Sequence, residues 1–194
     1  MKKQPTREKL LDITFDEVYI HGYTATSVDT ILKKAGIPKG SMYHHFKGKK
    51  ELVLAMVQER LFPKMDTFFI FEREDGETVM QRLRNTYAAM SKNKPLVAYG
   101  CPLYRLMVEL SAIDSEFDAL LGSRAKQLHQ ALTTLLQSGI DDGEFTNKLD
   151  AESFARFMLS ATWGILSMPP SLSSPRLFLE QSRFILEDLE AYTK

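Results

Sequence analysis

"IPKGSMYHHFKGKKEL", residues 37 to 52, packs lysines, a tyrosine and two adjacent histidines between helix-breaking Pro and Gly. Its residue types admit two chemistries: histidines for a metal or a general base, or lysines around an aromatic ring for phosphate. Neighbouring helical residues point about 100° apart, so His44 and His45 do not converge on one ion. His21 and His129 stand at no ligand-like spacing to anything, and no metal or other cofactor is expected. The phosphate chemistry is the better fit.

Outward from this stretch, apolar residues recur at the helical period almost end to end, with no convincing alternating strand. Leu11, Phe15 and Val18 mark one face of a first helix ending at His21-Gly22. Thr26, with Asp29 three residues on, predicts the cap of a second helix that carries Val28, Ile31 and Leu32 and closes at Gly36. Pro38 suits the first position of a third, short helix, because its missing N–H has no partner there anyway. A fourth begins near Gly48, kinks at Pro63 and continues into the aromatic run Phe68, Phe69 and Phe71. Val79-Leu83-Tyr87, Leu103-Leu106-Leu110 behind Pro102, and Leu121-Ala125-Leu128-Leu132-Leu135 mark three more helices. Asp150 and Ser174-Pro175 start the last two long ones. The expected fold is all-α, about nine helices, divided into a head at 1–50 and a larger body at 51–194.

Three short helices in the first 46 residues, the second and third joined by a tight turn, make a helix-turn-helix. Its third helix is slim enough for N-terminal side chains to reach base edges in a major groove. Gly40 lets the backbone approach, and Lys39, Ser41 and His44 are the side chains on offer. Tyr43, Lys49 and Lys50 suit phosphate, as do the backbone N–H groups at Thr26. His45 and Phe46 are expected to pack inward. A short basic helix between Pro and Gly is equally what a plain surface connection looks like. Charge adds weight to the nucleic-acid reading. Net charge is zero, yet residues 1–50 hold ten Lys/Arg against five Asp/Glu, and the remainder fifteen against twenty. A basic head on an acidic body points to a polyanion partner.

The apolar runs are too short for a membrane span, and the first ten residues lack the apolar core of a secretory leader. Cys101 is the one cysteine, so no intrachain disulfide is possible and a reducing, cytoplasmic setting is expected. The chain carries no nucleophile elbow, phosphate-cradling Gly-rich loop or zincin motif, so no enzymatic role is expected. The alternatives left open are a helical adaptor whose basic head binds an acidic protein, and an all-α enzyme of unknown chemistry.

"GYTATSVDTILKKAGIPKGSMYHHFKGKKELVLAMV", residues 22 to 57, resembles the N-terminal domain of TetR/AcrR-family transcriptional regulators. The matching residues are Gly22-Tyr23, Thr26, Val28, Ile31, Ala35-Gly36, Lys39 through Phe46, and Lys49 through Leu52. Gly48 stands where a serine cap is usual, and Pro38 where a polar residue often begins the recognition helix. The resemblance implies a homodimeric repressor of double-stranded DNA whose C-terminal domain binds a small inducer. By position it makes Thr26, Lys39, Ser41, Tyr43, His44 and Lys49 DNA contacts. "YGCPLYRLMVELSAIDSEF", residues 99 to 117, resembles a stretch in one branch of these regulators.

In the body, adaptable methionines and flat rings suit a permissive apolar pocket, with Phe68, Tyr87, Tyr104, Met107 and Trp163 as candidate walls. Each is also what an ordinary core residue looks like. Arg105 and Glu109, one helical turn apart, read as a surface ion pair or as a polar anchor in that pocket. Cys101 reads as a buried, inert thiol. A DNA reader of this type needs two heads, and Phe154, Phe157, Ala161, Leu177, Phe184 and Ile185 on the last two helices are the expected dimer surface.

Overall fold

The computed structural model describes residues 5–194. Its elements are α1 (Thr6–His21), α2 (Val28–Ala35), α3 (Lys39–Tyr43), α4 (Lys49–Met56), a π-helical segment (Val57–Leu61), α5 (Phe62–Met65), α6 (Val79–Lys92), α7 (Lys94–Tyr99), α8 (Pro102–Leu110), α9 (Ser115–Asp141), α10 (Ala151–Leu166) and α11 (Pro175–Glu190). Among the described residues the fold is all-α, apart from an isolated bridge between Phe145 and Thr193. The chain forms two compact units. One holds the chain up to Asp66 together with Arg105–Leu121; the other holds Thr67–Tyr104 and Gly122–Lys194. The division therefore falls inside α8 and again inside α9.

The first unit is built on α1, against which α2, α3 and α4 pack. Leu10, Leu11, Phe15 and Val18 of α1 are buried with Ile31, Leu32, Met42, Leu52 and Val53. Gly22 ends α1 at φ +85°, a conformation that side chains with a Cβ rarely adopt. The cap of α2 is Ser27, whose Oγ accepts from the Thr30 N–H at 3.0 Å. Thr26, the expected cap, is buried, and its hydroxyl donates to the Gly22 carbonyl at 2.7 Å. Either hydroxyl fits the sequence pattern; the tight turn after Gly22 draws Thr26 inward and leaves the cap to its neighbour.

Lys49 to Met65 runs as one helical stretch with the π segment just ahead of Pro63. Pro63 has no N–H for the Glu59 carbonyl four residues back, and its ring would clash there in a regular helix. The Arg60 guanidinium donates to that carbonyl instead, at 3.0 Å. Arg60 also pairs with Asp12 and Glu8, and Arg7 with Glu59, tying this stretch to α1. The helix does not reach the aromatic run: Phe68 and Phe69 are buried, but the chain is irregular from Ile70 to Asp75.

In the second unit α11 packs on α6 and α10, and α7 lies against all three. α7 was not apparent in the sequence, because six residues are too few to show a period. Asn93 starts it by accepting the Leu96 N–H at 3.1 Å. The start of α6 is doubly satisfied. Thr78 and Gln81 form a reciprocal capping box, and the Glu144 carboxylate accepts the Val79 and Met80 N–H groups at 2.7 and 2.9 Å.

Candidate functional site

α3 is only five residues long, and its placement rests on one side chain. Met42 is fully buried and pins the helix to α1 and α2, while Phe46 follows it into the core. Gly36 makes the preceding turn in the left-handed region at φ +62°, with the Ile37 N–H returning to the Leu32 carbonyl at 3.1 Å. Pro38 sits at the N-cap, one residue earlier than expected. Pinning by Met42 turns the rest of α3 outward. Lys39, Gly40, Tyr43 and His44 are exposed and Ser41 is half-buried, with Tyr43 showing 51% of its surface. Lys39 and Tyr43 lie four residues apart on one side, and Gly40 and His44 on the adjoining one. The Lys39 ammonium touches only the exposed Asp29 carboxylate at 3.4 Å among the contacts described. His45, expected to point inward, is exposed beside the Phe46 ring.

Three expected phosphate contacts are engaged within this unit. The Thr26 side chain is buried, and its N–H donates to the Tyr23 carbonyl at 3.2 Å. The Lys49 ammonium lies 4.2 Å from the centroid of the Tyr23 ring. Partial burial lowers its pKa, with Glu109 opposing. Lys50 pairs with Asp114 at 2.8 Å and Glu116 at 3.0 Å. Sequence periodicity could not reveal the acidic partners, Glu109 for Lys49 and Asp114 and Glu116 for Lys50, which lie sixty or more residues away in the chain. Arg105 and Glu109, read as an ion pair or a pocket anchor, both reach the end of α1. Arg105 donates to the Tyr19 and Ile20 carbonyls at 2.9 and 3.4 Å. Glu109 accepts the Tyr23 and Thr24 N–H groups at 2.8 and 2.6 Å.

An α1 with one face buried, a tight α2–α3 corner and an outward row on α3 form a complete helix-turn-helix. The family model described as "Bacterial regulatory proteins, tetR family" matches residues 10–56, and "Tetracyclin repressor-like, C-terminal domain" matches residues 79–178. The chain belongs to the TetR family. It is a DNA-binding transcriptional regulator with an N-terminal helix-turn-helix head. An "Uncharacterized HTH-type transcriptional regulator in lacX 3'region" of Lactococcus lactis subsp. lactis is 31% identical over 138 residues, covering 67% of this chain and 69% of its own. The HTH-type transcriptional repressor KstR2 of Rhodococcus jostii is 30% identical over 168 residues, covering 83% of this chain and 78% of its own. The solved regulatory protein TetR from Rhodobacter sphaeroides has the same fold, with a TM-score of 0.80 at 22% identity over 94% of this chain and 97% of its own.

The second unit of this TetR-family chain holds a cavity of about 20 Å³, lined by Phe69, Leu83, Tyr87, Met90, Met158 and Thr162 among others. That is room for about one water molecule. Of the five expected pocket residues, Tyr87 lines this cavity. Its hydroxyl shares a 2.9 Å hydrogen bond with Thr162, and burial pushes its pKa up to about 12, with Thr162 opposing. Tyr104 and Trp163 stack on each other at 5.2 Å, Phe68 is buried beside Phe69, and Met107 belongs to the first unit. Of the expected dimer residues, Phe157, Leu177 and Phe184 are exposed and Ala161 is half-buried. Phe154 and Ile185 are buried instead: on α10 the helical turn sends 154, 155, 158 and 159 inward and 157, 160 and 164 outward. Among the described residues no helix is long and apolar enough to cross a membrane, and no His/Cys/Asp/Glu group could hold a metal ion.

Proposed function

We propose that two copies of this regulator pair through α10 and α11, and that their α3 helices read a palindromic operator in successive major grooves. A small, largely apolar molecule entering the second unit releases the DNA. The observation that carries the DNA reading is the exposed row Lys39, Gly40, Tyr43 and His44 on a short helix held from behind by buried Met42. Two such helices set about 34–36 Å apart, or a multiple of that, match the repeat of the duplex. The reading assigns base edges to Lys39, Ser41 and His44, close backbone approach to Gly40, and phosphate to Tyr43 and Lys49. It gives Thr26 and Lys50 a supporting part, through the turn and the acidic pair they already hold. It places the protein in the cytoplasm with the DNA.

The inducer reading rests on the surroundings of Tyr87. Met90 and Met158 line the cavity and repack readily, and the Tyr87–Thr162 pair offers one polar anchor among apolar walls. Tyr87 also borders an open groove of about 420 Å³ lined by Arg84, Leu179, Arg183 and Glu190.

Selection of bound sequences from random duplex DNA, repeated with candidate lipophilic compounds, tests both parts. Lys39→Ala is expected to weaken the selected operator and relax preference at one base pair by about 1–3 kcal/mol. Tyr43→Phe is expected to weaken all sequences alike. If both stay folded and bind as the wild type does, the groove assignment is wrong and an acidic protein partner becomes the better reading. An inducer that weakens operator binding must itself be weakened by operator to the same factor.

A further inference from the structure

Glu109 is a half-buried carboxylate that is spent on main chain. Oε2 accepts the Tyr23 N–H at 2.8 Å and Oε1 the Thr24 N–H at 2.6 Å, so both oxygens hold one turn. Burial alone would raise its pKa, but the bonds from Thr24 and Tyr23 and the nearby Lys49 charge hold it below the usual carboxylate value. The turn is shaped to receive it. At Gly22 an added Cβ would lie 3.0 Å from Oε2, on top of the strain of φ +85°. The opposite side of the turn is closed by the Thr26 hydroxyl on the Gly22 carbonyl. One turn earlier on α8, Arg105 holds the Tyr19 and Ile20 carbonyls, so a cation meets the carbonyl end of α1 and an anion meets the amides that follow. The Tyr23 ring, fixed by this turn and set edge-on to Phe117 at 5.4 Å, is the surface on which the Lys49 ammonium rests.

We infer that Glu109 is a positioning residue for operator binding: its carboxylate fixes the Gly22–Thr24 turn and, through the Tyr23 ring, the place from which Lys49 meets phosphate. The inference rests on the proposed reading of Lys49 and α3 as DNA contacts. Glu109 itself touches no DNA. Without it the two N–H groups lose their acceptors, the Tyr23 ring loses the turn that sets its position, and the ammonium loses a fixed platform and the nearby negative charge.

The test is a double-mutant cycle on the full-length protein with the selected operator duplex, using Glu109→Gln, Lys49→Met and both together. The glutamine side chain keeps one acceptor and turns an NH₂ toward the other N–H. Glu109→Gln is expected to lower affinity about tenfold. Lys49→Met is expected to lower the salt slope by about one per phosphate lost in the wild-type background, and to change neither affinity nor slope further in the Glu109→Gln background. Losses that multiply, or a Glu109→Gln variant that binds within twofold of wild type while Lys39→Ala does not, overturn the inference alone. If neither Lys39→Ala nor Glu109→Gln affects binding, the groove assignment falls and this inference with it. A second readout needs no DNA: the Tyr23 and Thr24 amides are expected to exchange at least tenfold more slowly in the wild type than in a flexible turn. Unprotected wild-type amides overturn the inference, whatever Glu109→Gln does to folding.

Discussion

Gly139 has no room for a methyl group. A Cβ there would lie 2.6 Å from the buried Phe145 ring and 2.9 Å from Val79 Cγ2. Gly139→Ala is therefore expected to destabilise by about 1–3 kcal/mol despite the better helix propensity of alanine, read as a lower urea midpoint. Cys101 presents the opposite case, a reactive group made inert by its surroundings. Burial pushes its thiol up to about 11, with the backbone N–H groups of Tyr104 and Leu103 opposing. Iodoacetamide at neutral pH is expected to spare the folded protein and to label it rapidly in urea. The linkage has a sign. The folded thiol holds its proton to higher pH than an unfolded one near 8.5, so its contribution to stability is whole below about 8.5 and lost as pH rises toward 11. The melting-temperature difference between wild type and Cys101→Ala should move against the wild type over that window.

The caps decide where the helices begin, and they are separable. Thr78→Ala removes one half of the α6 capping box and is expected to cost about 0.5–2 kcal/mol in urea unfolding. The loss should sit at the low end, because Glu144 still holds two of the N–H groups at that end. Caps also mark how far the sequence could be read. α10 and α11 start at Asp150 and Ser174 as the pattern predicts, because one capping residue stands before each apolar period. At α2 two hydroxyl residues adjoin, and only the turn geometry chooses Ser27 over Thr26. Phe68 to Phe71 misled because an apolar run reads alike in a helix and in a buried irregular segment. In the candidate site, the exposed row on α3 was readable from its own spacing. The roles of Lys50, Arg105 and Glu109 were not, since each is set by partners more than sixty residues away in the chain.

Assembly is the largest question the surface poses. Phe157 and Phe184 show 47% and 62% of their surface, a large aromatic exposure for neighbouring helices of one unit. Ala161→Glu combined with Phe184→Glu is expected to give monomers in sedimentation while leaving helical content unchanged. A dimer that survives both charges rules out α10–α11 pairing. The described fold also bears on how the protein is made. Its first unit is not contiguous in the chain: Arg105–Leu121, with Glu109, Asp114 and Phe117, completes a head whose other residues end at Asp66. A ribosome adding about 5–20 residues per second delivers that missing piece several seconds after Asp66 has been made. Until then the nascent head lacks Phe117 beside Tyr23 and carries an unoccupied pair of amides in its first turn. Chaperones that bind exposed apolar chain have that interval in which to act, and a gene fragment cut after Asp66 would leave it open permanently.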